Sequence, residues 1–104
     1  MEQAQSFRYI IESVTQDGKR FRPSDWIDRL SSWDATFAQH RLVFSERLHP
    51  VNIKGEKCLA IEPLLKEQAP AMYEQILGFA RANNLKAHRQ TADGVMTEVP
   101  LDDL

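Results

Sequence analysis

Lys19, Arg20 and Arg22 flank Phe21 and run into Pro23, Ser24 and Asp25. Cations beside a serine that can cap a helix form an arrangement suited to an anion. Ammonium and guanidinium groups neutralise its charge, and the N–H groups of a helix start point toward it. Arg29, one turn into the helix that Ser24 would open, can join them. The chemistry on offer is binding of a phosphorylated metabolite, a nucleotide or RNA, with Phe21 or His40 stacking on a base. A solvated basic loop balanced by Asp17, Asp25 and Asp28 is the plainer account, and it is an ordinary way to begin a helix.

Other reactive residue types are present without reactive spacing. His40, His49, His88 and Cys58 are scattered, with no CxxC, HxxxH or HExxH pattern to gather a metal ion. Cys58 follows Lys57, which would lower a thiol pKa only from the same side of the chain. Strand alternation sends neighbouring side chains to opposite faces, so Cys58 reads as a small buried residue. The chain has four glycines, at 18, 55, 78 and 94, and these form neither a GxGxxG turn nor a phosphate-binding loop. No catalytic residue, metal ligand or cofactor is assigned, and the reading leans away from an enzyme.

The elements that would position these residues follow from local pattern. Phe7–Thr15 is rich in aromatic and β-branched residues and reads as a strand, with Phe7, Tyr9 and Ile11 on one face. Gln16–Lys19 is a turn, Gly18 supplying positive φ. A helix is predicted from Ser24 to Ala38. Its apolar stripe is Trp26, Leu30, Trp33 and Phe37 with Ile27 beside them, which places both tryptophans in the core. Arg41–Glu46 is a second strand, interrupted by His49-Pro50 because proline lacks a ladder donor. Val51–Ile61 is a hairpin reversing at Gly55. Leu64–Glu67 adds a turn, and a second long helix starts at Pro70 and ends at Asn83-Asn84. Leu85–Arg89 and Val95–Val99 are further strand candidates around an Asp93-Gly94 turn.

That order predicts an α+β domain, an antiparallel or mixed sheet with two helices packed on one face. If the second and third strands are one bent unit, it is the ferredoxin-like βαββαβ arrangement. At 104 residues and 12.0 kDa with 42% hydrophobic residues, the chain suits one domain with a substantial core. No apolar run approaches the roughly 20 residues of a membrane span, and Met1–Ser6 lacks the features of a secretory signal. One cysteine allows no intrachain disulfide, as befits a cytoplasmic location. Ala92–Leu104 carries Asp93, Glu98, Asp102 and Asp103 and no Lys or Arg. Setting those four charges aside turns the net −2 into +2 for residues 1–91. The expected division is therefore a domain over 1–91 and a mobile acidic tail over 92–104.

Three separated blocks carry a family resemblance. Phe21-Arg22-Pro23-Ser24-Asp25-Trp26 with Arg29-Leu30, then Val51–Leu59, then Phe79–Leu85 together resemble the proteobacterial family known as domain of unknown function 3579. The likeness covers roughly residues 7–88 and leaves the acidic segment outside. It implies a bacterial cytoplasmic protein, and it brings no activity, cofactor or site residue.

Two functions fit these observations. One is a non-catalytic interaction module, a homodimer or an accessory subunit on another cytosolic protein, pairing through exposed hairpin edges around Asn52 and Lys54. The other is a binder of an anionic ligand through Lys19, Arg20, Arg22, Ser24 and Arg29. Nucleic acid is the less favoured partner, since a net +2 body is far from the charge of a typical DNA binder, and no membrane association is expected.

Overall fold

A computed structural model describes residues 7–21 and 25–104. The central strand β1 (Phe7–Thr15) is bordered on one side by the hairpin β4 (Leu48–Ile53) and β5 (Glu56–Ile61). On the other side lie β6 (Leu85–Thr91) and β7 (Met96–Val99), giving a five-stranded sheet in the order β4-β5-β1-β6-β7. Every neighbouring pair is antiparallel. Helices α1 (Trp26–Ser31), α2 (Pro63–Gln68) and α3 (Pro70–Ala82) complete the domain, and a small separate sheet holds β2 (Thr36–Ala38) and β3 (Arg41–Val43).

Period-two alternation sorts the sheet into two unlike faces. Ile11, Leu59, Ile61, Leu85 and Ala87 meet Trp26, Ile27 and Leu30 of α1, Leu65 of α2, and Tyr73, Ile76, Leu77 and Ala80 of α3 in one core. The opposite face buries only Ile10, Cys58 and Ala60, flanked by Val51, Ile53 and Met96. Beside the main core, Trp26 stands 5.4 Å from Phe79 and Phe21 stands 6.1 Å from Phe79, so three rings pin the entry to α1. Trp26 Nε1 donates to Ser13 Oγ at 3.0 Å, and that hydroxyl donates to the Phe21 carbonyl at 2.6 Å.

Turn chemistry repeats. Thr15-Gln16-Asp17-Gly18 and Thr91-Ala92-Asp93-Gly94 end β1 and β6 alike: the glycine N–H donates to the threonine carbonyl, and glycine sits at φ 91° and 90°. Each threonine hydroxyl donates to the aspartate two residues on. This is the three-residue hairpin loop, a turn followed by a left-handed residue. Lys54 and Gly55, at φ 52° and 81°, reverse the β4–β5 hairpin. Asn84 takes φ 55° after α3, the left-handed position expected of it.

Four expectations need correcting. The helix predicted from Ser24 to Ala38 stops at Ser31. A 3-10 turn over Ser32–Asp34 follows, and then the chain extends as β2. Ser31 Oγ donates to the Ile27 carbonyl and Ser32 Oγ to the Arg29 carbonyl, offering the backbone alternatives at the point where the helix ends. Only the first half of the stripe is core: Trp33 is 42% and Phe37 71% exposed. The strand predicted over Arg41–Glu46 is confined to Arg41–Val43 and pairs with β2 outside the main sheet.

His49-Pro50 does not interrupt β4. With a two-residue turn at Lys54-Gly55, Ile53, Val51 and His49 turn their backbone groups to β5, and Pro50 faces the free edge where no donor is needed. The acidic segment is built into the fold. Residues 96–99 pair with β6, Leu101 and Leu104 are buried in the main core, and Arg81 Nε lies 3.4 Å from Asp102 Oδ1. Two leucines spaced to reach α3 outweigh the polarity of the acids around them.

Tyr73 is 1% exposed, and its hydroxyl has no hydrogen-bond partner among the described residues. Burial, with smaller contributions from Tyr9 and Glu74, pushes its pKa up to about 12. An orphaned buried hydroxyl costs about 1–3 kcal/mol. Tyr73→Phe is therefore expected to keep or raise stability in urea unfolding, by up to about 1 kcal/mol. A clear loss would show that the hydroxyl has a partner in solution.

Candidate interaction site

The basic loop is placed as follows. Lys19 is exposed, and its carbonyl accepts the Thr15 N–H. Arg20 makes a two-pronged pair with Glu56 at 2.9 and 2.8 Å, which raises the pKa of its guanidinium. Phe21 is held in the ring cluster with Trp26 and Phe79, which occupies the side chain expected to stack on a base. Arg22 and Ser24 lie outside the described residues. Arg29 is exposed in the last turn of α1, a helix of six residues. Lys57 Nζ reaches Asp28 Oδ2 at 2.6 Å. Carboxylates thus meet Arg20 and Lys57 at this corner.

Asn52 and Lys54 sit on the edge strand and its turn, both exposed. Along that edge Leu48, Pro50 and Asn52 face outward. Pro50 has no N–H, and the Leu48 N–H donates to Ser45 Oγ at 3.1 Å. The β4 edge is blunted in the manner of sheets that resist strand addition.

The helix-free face gathers most of the residues with chemistry. His49, Ala60, Ile10, His88 and Glu98 form one row across five strands, and Val51, Cys58 and Glu12 form the next. His49 and His88 stand three strand spacings apart, about 14 Å, too far for one ion. His40 lies away at the tip of the small sheet. Among the described residues no group of three His, Cys, Asp or Glu side chains is arranged to hold a metal. His88 Nδ1 lies 3.0 Å from Glu12 Oε2, and among the described residues it makes no hydrogen bond. Cys58 is 1% exposed, and burial together with the nearby Glu12 and Glu56 pushes its pKa up to about 11. Its neighbour Lys57 points to the helix side, as alternation requires. Among the described residues this face carries no Phe, Tyr or Trp; Phe7 and Tyr9 belong to the opposite side. A base-stacking platform needs rings here.

The feature that the sequence did not signal is the β2–β3 arm. Phe37 pairs with Leu42, so the two side chains share a face, at 71% and 48% exposure. Gln39 and His40 make the reversal at φ 52° and 64°, positions that non-glycine residues occupy at a cost of about 1 kcal/mol or more each. The root is anchored firmly. Asp34 accepts Arg47 Nε at 3.0 Å, Arg47 Nη2 at 2.6 Å and Ser45 Oγ at 2.6 Å, while Arg47 Nη1 donates to Gln68 Oε1 of α2. Arg47 and Ser45 hold the Asp34 carboxyl below the usual range. Two β-prone triplets around a polar pair are the local trace of this arm, and the helical spacing of Phe37 to Trp33 hides it.

A cleft of about 660 Å³ opens at the end of the main sheet. Phe7, Pro63 and Leu64 provide apolar walls, Glu62 and Glu67 provide carboxylates, and Arg8 is bonded to Gln90 Oε1 at 3.0 Å.

Comparison with known proteins places this architecture. The family model described as protein of unknown function (DUF3579) matches residues 5–90. The chain belongs to the DUF3579 family. A solution structure described as the first structural representative of its family is similar to it, with 37% sequence identity and a TM-score of 0.71, covering 93% of this chain and 89% of that one. No curated protein matches. The matched range holds the whole arm of this DUF3579 chain, its Asp34–Arg47 anchor and most of the cleft wall. Among the described residues no helix is long and apolar enough to cross a membrane.

Asp34→Asn is expected to cost about 1–2 kcal/mol at neutral pH, less than a fully buried pair because Arg47 keeps some solvent. The folded pKa of Asp34 is depressed, so its contribution is complete above the ordinary value of 3.8 and is lost as pH falls through the folded pKa. Urea titrations of both proteins at pH 7 and pH 3 should show the difference shrinking in acid, and an equal difference would mean that the ionised carboxylate is not what matters. Cys58, as a buried protonated thiol, should react with a disulfide reagent only at the rate of unfolding. Prompt stoichiometric labelling of the native protein would contradict its placement.

Proposed function

We propose that this protein is a non-catalytic interaction module that presents the β2–β3 arm to a protein partner. The observation that carries the reading is Phe37, a large apolar side chain 71% exposed beside Leu42 on a detached two-stranded arm. A two-stranded hairpin is marginal by itself in water, and exposed apolar side chains grouped on one element mark docking surfaces. The Asp34–Arg47 anchor supports this, because it holds the root while leaving the tip open. We read the core that carries the arm as a ferredoxin-like split βαβ arrangement. The antiparallel order β4-β5-β1-β6, with α1 and α3 as the connections on one face, supports that reading, and β7 would then be an addition at the edge.

A photo-crosslinking residue at position 37, compared with one at the exposed Gln75 of α3, tests the function in the native host. A discrete protein adduct at 37 that is absent at 75 is expected. Adducts at neither position, or the same adducts at both, would count against the arm.

A further inference from the structure

We propose that the cleft at the end of the main sheet binds a short free peptide, with the terminal carboxylate at Arg8 and the terminal ammonium at Glu62 and Glu67. The site is separate from the arm and adds a ligand to the docking role given there. Its wall carries charges of both signs that do not meet each other. Among the described residues Arg8, Glu62 and Glu67 form no ion pair, although all three line the one cleft.

Local geometry keeps these charges apart. Tyr9 of β1 pairs with Ile61 of β5, so Arg8 and Glu62, each one residue further out, stand on neighbouring strand ends. Arg8 turns to β6 instead. It pairs there with Gln90, and its Nε donates to Gln90 Oε1 at 3.0 Å, which holds the guanidinium on the side of β1 away from Glu62. Nη1 and Nη2 have no partner among the described residues, and together they form the fork that takes a carboxylate through two parallel bonds. On the other wall, Pro63 and Glu67 lie four residues apart on α2 and so share a helix face, with Leu64 beside them. Glu62, the residue before α2, adds a second carboxylate. Neither glutamate side chain has a partner among the described residues, and an ammonium has three N–H donors to offer them. Phe7, Pro63 and Leu64 leave apolar surface for a ligand side chain. The volume of about 660 Å³ lies within the roughly 300–1,000 Å³ of small-ligand clefts. A wall with both signs suits a zwitterion. A lone anion would meet the repulsion of Glu62 and Glu67, whereas a short peptide brings ammonium and carboxylate into one cleft with side chains to match its apolar part.

A chemical-shift titration of the isotope-labelled full chain with the dipeptide leucyl-leucine, both termini free, tests this. Saturable shifts at Phe7, Arg8, Leu64, Glu67 and Gln90 are expected, with a dissociation constant in the millimolar range or tighter. Acetylating the amino group, or amidating the carboxyl group, should each weaken binding by about tenfold or more. Arg8→Gln should abolish the effect of amidation, and Glu62→Gln with Glu67→Gln should abolish the effect of acetylation. Circular dichroism checks the variants, and the modified dipeptides test both pairings in the wild-type protein whether or not a variant folds. Absence of saturable shifts at about 10 mM dipeptide overturns the site. Shifts confined to Phe37 and Leu42 overturn the cleft as the place of binding. Equal binding of the free, acetylated and amidated forms overturns the assignment of the termini, and penalties that survive the substitutions overturn the residues named.

Discussion

β1 must satisfy two environments at once, and the rest of the molecule is arranged around that constraint. It is the only strand of the main sheet with hairpin partners on one flank and the β6–β7 pair on the other. Ile11 and Ile10 are both fully buried, although one faces the helices and the other does not. On the helix side, burial comes from large residues of three helices. On the far side, small residues suffice: Cys58 and Ala60 flank Ile10 beneath Val51, Ile53 and Met96. A larger side chain at either position would stand above its neighbours, so the second face stays thin and its polar residues remain spaced a strand apart.

Charge in this protein acts mainly to join elements distant in sequence. Arg20 reaches Glu56, Lys57 reaches Asp28, and Arg81 reaches Asp102. These pairs are largely exposed, and such pairs add little stability. Asp34–Arg47 is different, with side chains 11% and 27% exposed and every carboxylate contact directed to the arm root. It marks the boundary between a core organised by burial and an arm that lacks a core of its own.

Much of the fold was legible because it is local. The strand Phe7–Thr15 declared itself by composition, the second long helix by Pro70 at its start and Asn83-Asn84 at its end, and the hairpin by its turn at Gly55. The interaction site was not legible. The stripe Trp26, Leu30, Trp33, Phe37 has good helical spacing, and Ser31 and Ser32, whose hydroxyls bond back to helix carbonyls, loosen the helix there without by themselves ending it. That is decided by Arg47 and Ser45, more than ten residues away, holding Asp34 where the helix would otherwise continue. The lining of the cleft is scattered in the same way, from Phe7 to Gly94.

By itself the sequence determined the strand from Phe7, the hairpin turning at Gly55 and the helix from Pro70, since these depend on side-chain period and backbone sterics over a handful of residues. The tertiary structure alone decided where α1 ends, that residues 36–43 form a detached arm, that Leu101 and Leu104 draw an acidic segment onto α3, and that Arg20 is paired with Glu56. Each of those outcomes depends on a contact between residues far apart in the chain. Local preference is worth only tenths of a kcal/mol per residue, whereas a single buried leucine contributes about 2 kcal/mol, so where the two compete the distant contact prevails.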